Sequence, residues 1–145
     1  MTDPVAKPPP IAAVPTSIGL LVGWSPSGPT DRALRVSSLV DYERNFGALD
    51  SRSLLGHAIR HFFDNGGKQA YALRVAGAAG AAIGPADAAV LTALQAAFAA
   101  GGPADRIDIF NLLCVPGLTD VDATVMLQAY VAPRRAFLIP DCGAN

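Results

Sequence analysis

Two histidines of one predicted helix have a spacing that can hold a metal ion. His57 and His61 are four residues apart and Asp64 follows nearly one turn later, so all three lie along one helix edge. The zinc-protease pattern places a glutamate directly after the first histidine, whereas Ala58 stands there in this chain. No cysteine or third histidine lies near in sequence. The pattern therefore favours a polar helix edge or an interface, and we expect no metal site.

The cysteines and two aspartates are the other candidates for chemistry. Cys114 lies in an apolar run and is expected to be a small core residue. A Cys/His nucleophile pair that uses Cys142 has even less support than a metal site, because this residue lies near the end of the sequence. Asp141 and Asp120 follow predicted strands, where α/β sheets bind ligands, but no glycine fingerprint follows the first strand. We predict no catalytic, cofactor or metal residues, and a protein that is not an enzyme.

Residues 24–29, a loop rich in proline and glycine, do not match the pattern of a phosphate-binding loop. That pattern combines glycines with a nearby lysine. No lysine occurs between Lys7 and Lys68, so the loop is predicted to connect elements without binding phosphate.

Composition excludes several classes of protein. The 145 residues are 51% hydrophobic and 16% charged, with a net charge of -1, so nothing indicates the basic patch that nucleic-acid binding requires. No apolar run reaches the roughly 20 residues of a membrane helix, and the first ten residues lack the apolar centre of a signal peptide. We expect a protein that is cytoplasmic in the producing cell, binds no nucleic acid and does not insert into membranes.

The stretch 53–75 organises the rest of the chain. Ser53 is a predicted N-cap, and Asn65-Gly66-Gly67 is predicted to end the helix, since Asn and Gly accept left-handed backbone. Residues 70–75 then read as a buried strand, over which the two phenylalanines are expected to pack in the core. The apolar residues of the helix form one stripe: Leu54, Leu55, Ala58, Ile59, Phe62 and Phe63.

Strands and helices alternate along the remaining sequence. Such alternation predicts an α/β fold, with a mostly parallel or mixed sheet flanked by helices. Segment 76–84, rich in Ala and Gly, is expected to be a flexible loop. Predicted strands span 18–23, 34–36, 107–115 and 136–139. Predicted helices span 39–46, 86–100 and 121–132, with Leu91, Leu94 and Phe98 packing from the second, and Val125, Met126, Ala129 and Tyr130 facing inward from the third.

The chain is predicted to divide into a leader and one domain. Residues 1–16 form a proline-rich extended leader, since Pro8-Pro9-Pro10 favours polyproline II structure and excludes a helix. Residues 17–145 form one α/β domain, which is long enough for a substantial core.

Several phrases resemble the sheath proteins of contractile phage tails and related injection systems. They are IAAVPTSIGLLVGWSPSGP, RVSSLVDYERNFGALD, HFFDNGGKQAYALRV, IDIFNLLCVPG and APRRAFLIPD. The resemblance implies a sheath-like core and a structural subunit that polymerises helically around an inner tube, contacts a baseplate and contracts to drive the tube through an envelope. It implies a place in a virion tail or injection particle, and no cofactor.

The chain departs from this family at both ends. Family members carry an N-terminal strand before the first phrase and continue past the last one, so we expect the domain to be incomplete at its C-terminus. Because prolines lack the N–H groups that strand exchange needs, we expect the isolated chain not to build a sheath. Two alternatives stay open: a small α/β nucleotide-binding protein or enzyme, and a non-polymerising adaptor or cap with a sheath-like core.

Overall fold

The computed structural model of the chain describes residues 17–142. The predicted leader and the last three residues lie outside this range. The described strands are β1 Gly19–Gly23, β2 Leu34–Val36, β3 Ala70–Arg74, β4 Leu112–Cys114 and β5 Phe137–Ile139. The α-helices are α1 Leu39–Phe46, α2 Leu54–Asp64, α3 Ala89–Phe98 and α4 Val121–Val131, with short 3₁₀ turns at Ala78–Gly80 and Ala132–Arg134.

The five strands form one mixed sheet in the order β2-β3-β1-β4-β5. β1 lies in the centre and runs parallel to β3 and β4, and β5 runs parallel to β4. Only the edge strand β2 is antiparallel, against β3. The predicted α/β fold, with a mostly parallel or mixed sheet and flanking helices, is confirmed. No helix in residues 17–142 is long and apolar enough to cross a membrane.

The predicted start of α2 is confirmed, and its end follows a slightly different geometry. Ser53 Oγ accepts a hydrogen bond from the Gly56 amide at 3.3 Å and donates to the Trp24 carbonyl at 2.6 Å. Gly66 has a positive φ of 87°, the left-handed backbone that glycine allows. Asn65 keeps φ at -93°, so the left-handed position belongs to Gly66 and not to Asn65.

The sheet has two apolar faces, which we call the back face and the front face. α3 and α4 pack on the back face around Leu20, Val22 and Leu113. α1 and α2 pack on the front face, where their buried residues meet Leu21. The alternation along β1 follows from strand geometry, since successive side chains point to opposite faces.

Two predicted elements are several residues shorter than expected. Residues 107–111 are not part of β4, which begins at Leu112, in register with Gly19 at the start of β1. α3 begins at Ala89 and not at residue 86. The preceding residues form turns instead, in which Asp87 accepts a hydrogen bond from the Gly84 amide.

The predicted inward face of α4 is partly wrong. Its buried residues are Ala123, Leu127 and Val131, an i, i+4, i+8 line. Val125 and Ala129 are exposed instead, and Met126 and Tyr130 are half-buried. The helix carries apolar residues on almost every side, so the periodicity alone did not fix which line meets the sheet. In α3, Leu94 and Phe98 are buried as predicted and Leu91 only partly.

The predicted core role of the α2 phenylalanines is also corrected. Phe62 and Phe63 are only half-buried, and their rings meet edge to face with centroids 5.4 Å apart. Leu55 and Ile59, earlier in the same stripe, are fully buried, whereas Leu54 is exposed. The stripe therefore leads from a closed core at the start of α2 to an open surface at its end.

Candidate interaction surfaces

His57, His61 and Asp64, whose spacing along one helix could hold a metal ion, do not form a metal-binding cluster in the structure. His61 and Asp64 are exposed and His57 is half-buried. Asp64 lies 3.5 Å from the guanidinium of Arg60, with which it forms an ion pair along the helix. Among residues 17–142, no group of three or more His, Cys, Asp or Glu side chains could hold a metal ion.

The two aspartates at strand ends bind backbone amides. Asp120 is the N-cap of α4 and accepts a hydrogen bond from the Ala123 amide at 2.7 Å. Asp141 accepts one from the Gly117 amide. Each carboxylate thus holds a loop or a helix end in place. Their arrangement explains local structure without invoking a bound ligand.

Neither cysteine forms a disulfide, and Cys114 is not the core residue that its apolar neighbours predicted. Cys114 is half-buried and Cys142 is exposed. Burial, with a smaller effect of the Asp141 charge, raises the pKa of the Cys114 thiol to about 11. A thiol with that pKa stays protonated at neutral pH and is a poor nucleophile.

An open apolar groove lies on the front face beside α2. α1 and α2 contact β2, β3 and β1 and leave β4 and β5 bare on this side. The groove has a volume of about 460 Å³, with His61, Asn65 and Asp141 at its rim. We call it the front groove; its apolar lining comprises Leu21, Ala58, Phe62, Leu112, Cys114 and Ile139.

The register of β4 and β5 extends this apolar surface to the edge of the sheet. Leu112 is paired with Phe137, and Cys114 with Ile139, so these four side chains share the front face. Leu113, which lies between Leu112 and Cys114 in β4, points to the opposite side and packs in the back core. Phe137 is 73% exposed and Ile139 46% exposed. Large apolar side chains are thus left in solvent on two adjacent strands.

A second apolar surface lies on the outer side of α4, behind the sheet. Val121 is 73% exposed and Val125 63% exposed, and Ala129 is exposed one turn further on. The four-residue spacing places them in one line on the helix. We call this line the α4 stripe. Two of its residues, Val125 and Ala129, are ones that sequence periodicity had assigned to the core.

Arg74 is a structural residue that sequence reasoning missed. It ends β3 with only 9% of its surface exposed. Its guanidinium donates to the carbonyls of Ser25, Gly28 and Gly80 at 2.8, 3.3 and 3.1 Å, tying the loop after β1 to the segment predicted as a flexible loop. The available signal was an arginine at the end of a buried strand, where a charge requires several acceptors.

No protein-family model matches the chain, and no curated protein matches its sequence. In residues 17–142, the fold and its surfaces define an α/β domain with two exposed apolar surfaces, the front groove and the α4 stripe. Contiguous exposed apolar surface of this kind is typical of proteins that bind other proteins.

Proposed function

We propose that the chain is a structural subunit of a contractile tail sheath, made in the cytoplasm of the producing cell. In that role it contacts other sheath subunits, the inner tube and the baseplate, and no catalysis is required. The phrases that resemble the sheath family support this proposal by their location. The stretches 11–29, 61–75, 107–117 and 132–141 include β1, β3, β4 and β5, which are all the parallel strands of the described sheet.

The observation that carries the proposal is the α4 stripe. Val121 and Val125 lie exposed on the back of the molecule, whereas the bare edge strand β5 presents Phe137 on the front. Helical assemblies use heterologous contacts, in which one surface of a subunit meets a different surface of the next. Two unlike apolar surfaces that face apart suit such repeated contacts better than a closed dimer.

A non-polymerising adaptor or cap is the second candidate, and the length of β5 favours it. β5 has three residues, and short edge strands limit the addition of strands from other chains. A small α/β enzyme has less support, because Asp120 and Asp141, its candidate polar groups, bind backbone amides.

The position of the chain in a particle distinguishes a sheath subunit from an adaptor or cap. Antibodies against the chain, detected with gold on particles released by the producing cells, are expected to mark the outer wall of a tail along its whole length. Label confined to one end of the tail would support the adaptor or cap. Unlabelled particles, with the chain remaining soluble, would contradict both.

The α4 stripe can be tested in the purified chain. We expect concentration-dependent small oligomers in sedimentation, and Val125→Lys is expected to remove them because a charge in an apolar contact is costly. Gln128→Lys, at an exposed position of the same helix, is the matched control and is expected to retain them. Equal behaviour of the two variants would show that the stripe is not a contact.

A further inference from the structure

We propose that segment 77–83 is a lid over a crevice at the carboxyl ends of β1 and β4, and that a small molecule bearing an oxyanion binds to Arg74 when the lid opens. The lid belongs to the connection between β3 and α3. This inference goes beyond the proposed function and does not depend on it, since a lid and an anion site are compatible with a sheath subunit, an adaptor or an enzyme.

The crevice lies where the connections of the sheet diverge. After β1 the chain continues to α1 and α2 on the front face, whereas after β4 it continues to α4 on the back face. The carboxyl ends of two such strands are where open α/β sheets bind ligands. Gly23 and Trp24 line the crevice on one side and Val115 on the other, and Ile83 of the lid completes it. The space left is about 20 Å³, enough for one water molecule, so the crevice is closed.

The lid makes few contacts with the rest of the domain. The amides of Gly77, Gly80 and Ala81 donate to carbonyls within the lid itself. The four alanines of the lid are exposed, and Ile83, its large apolar residue, is only partly buried. Segments with few buried apolar contacts open locally at a lower free energy than the whole domain. The lid is therefore expected to open without unfolding the sheet.

The carbonyl of Gly80 joins the lid to the strand ends. It accepts hydrogen bonds from Arg74 Nη2 at 3.1 Å and from Trp24 Nε1 at 3.4 Å. Ala79, the residue before it, has a φ of 53°, a left-handed backbone that is unfavourable for alanine. Opening the lid thus releases backbone strain and frees two donors that converge on one oxygen position.

The charge of Arg74 indicates what takes that position. Arg74 is 9% exposed, and among residues 17–142 no carboxylate forms an ion pair with it. Its guanidinium donates to neutral carbonyls, whereas hydrogen bonds to a carboxylate or phosphate are charge-assisted and stronger. An oxyanion that replaces the Gly80 carbonyl receives the same two donors and balances the buried charge.

Trp24 reports on the lid, because it is the only tryptophan of the chain and is 7% exposed. Quenching of its fluorescence by acrylamide is measured for the parent, for Ile83→Ser and for Leu91→Ser, a matched control at a partly buried position outside the lid. We expect the quenching constant to rise about twofold or more in Ile83→Ser, since quenching follows the open fraction, and to stay at the parent value in the control. Equal constants for parent and Ile83→Ser would overturn the lid.

Oxyanion binding is tested by repeating the measurement in sodium phosphate and in sodium acetate, each against sodium chloride at the same ionic strength. We expect phosphate, acetate or both to raise the quenching constant above its value in chloride, because the bound oxyanion holds the lid open. The anion that acts identifies the group that is recognised. Ile83→Ser is expected to respond at lower anion concentrations, since its open state is already populated. No response beyond that to chloride, in both proteins, would overturn the anion site.

Two arginine variants assign the response to Arg74. Arg74→Gln is expected to lose it, whereas Arg35→Gln, at an exposed arginine of β2, is the matched control and is expected to retain it. A response that persists in Arg74→Gln would place the anion elsewhere and contradict the proposal. If Arg74→Gln does not fold, the titrations of the parent and of Ile83→Ser still decide. None of these readouts requires a particle, so their failure leaves the sheath proposal intact, and the reverse also holds.

Discussion

The back and front faces of the sheet are both apolar, yet only the back face is closed over all the parallel strands. α3 and α4 cover the back, where Leu20, Leu113 and Leu127 are fully buried in one large cluster. On the front, α1 and α2 form a smaller cluster over β2, β3 and β1. Within residues 17–142, β4 and β5 are thus covered on one side and open on the other.

This difference shows that an apolar residue of the sheet is buried where a helix packs over its face. The hydrophobicity of the side chain does not decide its burial. Leu112 and Leu113 are identical neighbours in β4, but the first is half-buried in the front groove and the second fully buried. The open side is therefore a surface available for contacts, and substitutions on the two sides are expected to differ in their cost.

The largest expected effect comes from this pair of leucines. Leu113→Ala is expected to cost about 2–5 kcal/mol, the range for a fully buried leucine. Leu112→Ala is expected to cost no more than about 1–2 kcal/mol, because a side chain that is only partly buried loses less transfer energy and leaves no closed cavity. Urea denaturation of both variants gives the two free energies. Equal costs would mean that the front groove is filled in the native protein.

A second comparison lies within the front face, along α2. Ile59→Ala is expected to cost about 2–5 kcal/mol because Ile59 is fully buried. Phe62→Ala, at the open end of the same stripe, is expected to cost less than the roughly 3–5 kcal/mol of a core phenylalanine. Thermal and urea melts of the two variants, measured together, provide the test. A larger loss for Phe62→Ala would place the centre of the front core at the end of α2.

The third effect concerns pH and the partly covered thiol. Burial raises the Cys114 pKa from 9.0 to about 11, so the folded chain holds this proton more tightly than the unfolded chain. The resulting stability is fully present below pH 9 and is lost as the pH rises towards 11. We expect the stability of the parent relative to Cys114→Ala to fall over that interval.

Urea titrations at pH 8 and pH 10.5 measure this change. Cys142→Ala, at the exposed cysteine, is the control and is expected to follow the parent at both pH values. A difference between parent and Cys114→Ala that stays constant with pH would indicate that the front groove leaves the thiol solvated.

The smallest effect is expected on the outer surface of α2. Arg60 and Asp64 form an exposed i, i+4 ion pair, and such pairs contribute about 0.3–0.5 kcal/mol. Arg60→Ala is therefore expected to shift the urea midpoint barely beyond experimental error, and less still at high salt. A loss above 1 kcal/mol would reveal a further contact of this arginine.

The parts of the fold that were predicted correctly depend on local chemistry. The cap at Ser53, the stop at Gly66 and the exact span of α1 follow from side chains that satisfy or release the backbone of their own segment. The predicted start of β4 was wrong because no feature of residues 107–111 reports that the pairing with β1 begins at Leu112. For the candidate surfaces, His61, Cys114 and Asp141 were noticed individually, but not as neighbours around one groove.

The sequence by itself determined the α/β class and the approximate order of strands and helices. These depend on periodicity, breakers and residue types, which act over a few residues. Only the tertiary structure decided that Val125 points outward, that Arg74 holds two loops together, and that no other described element covers the front of β4 and β5. Each of these depends on which distant elements pack together, and an apolar residue carries the same local signal whether or not another element covers it.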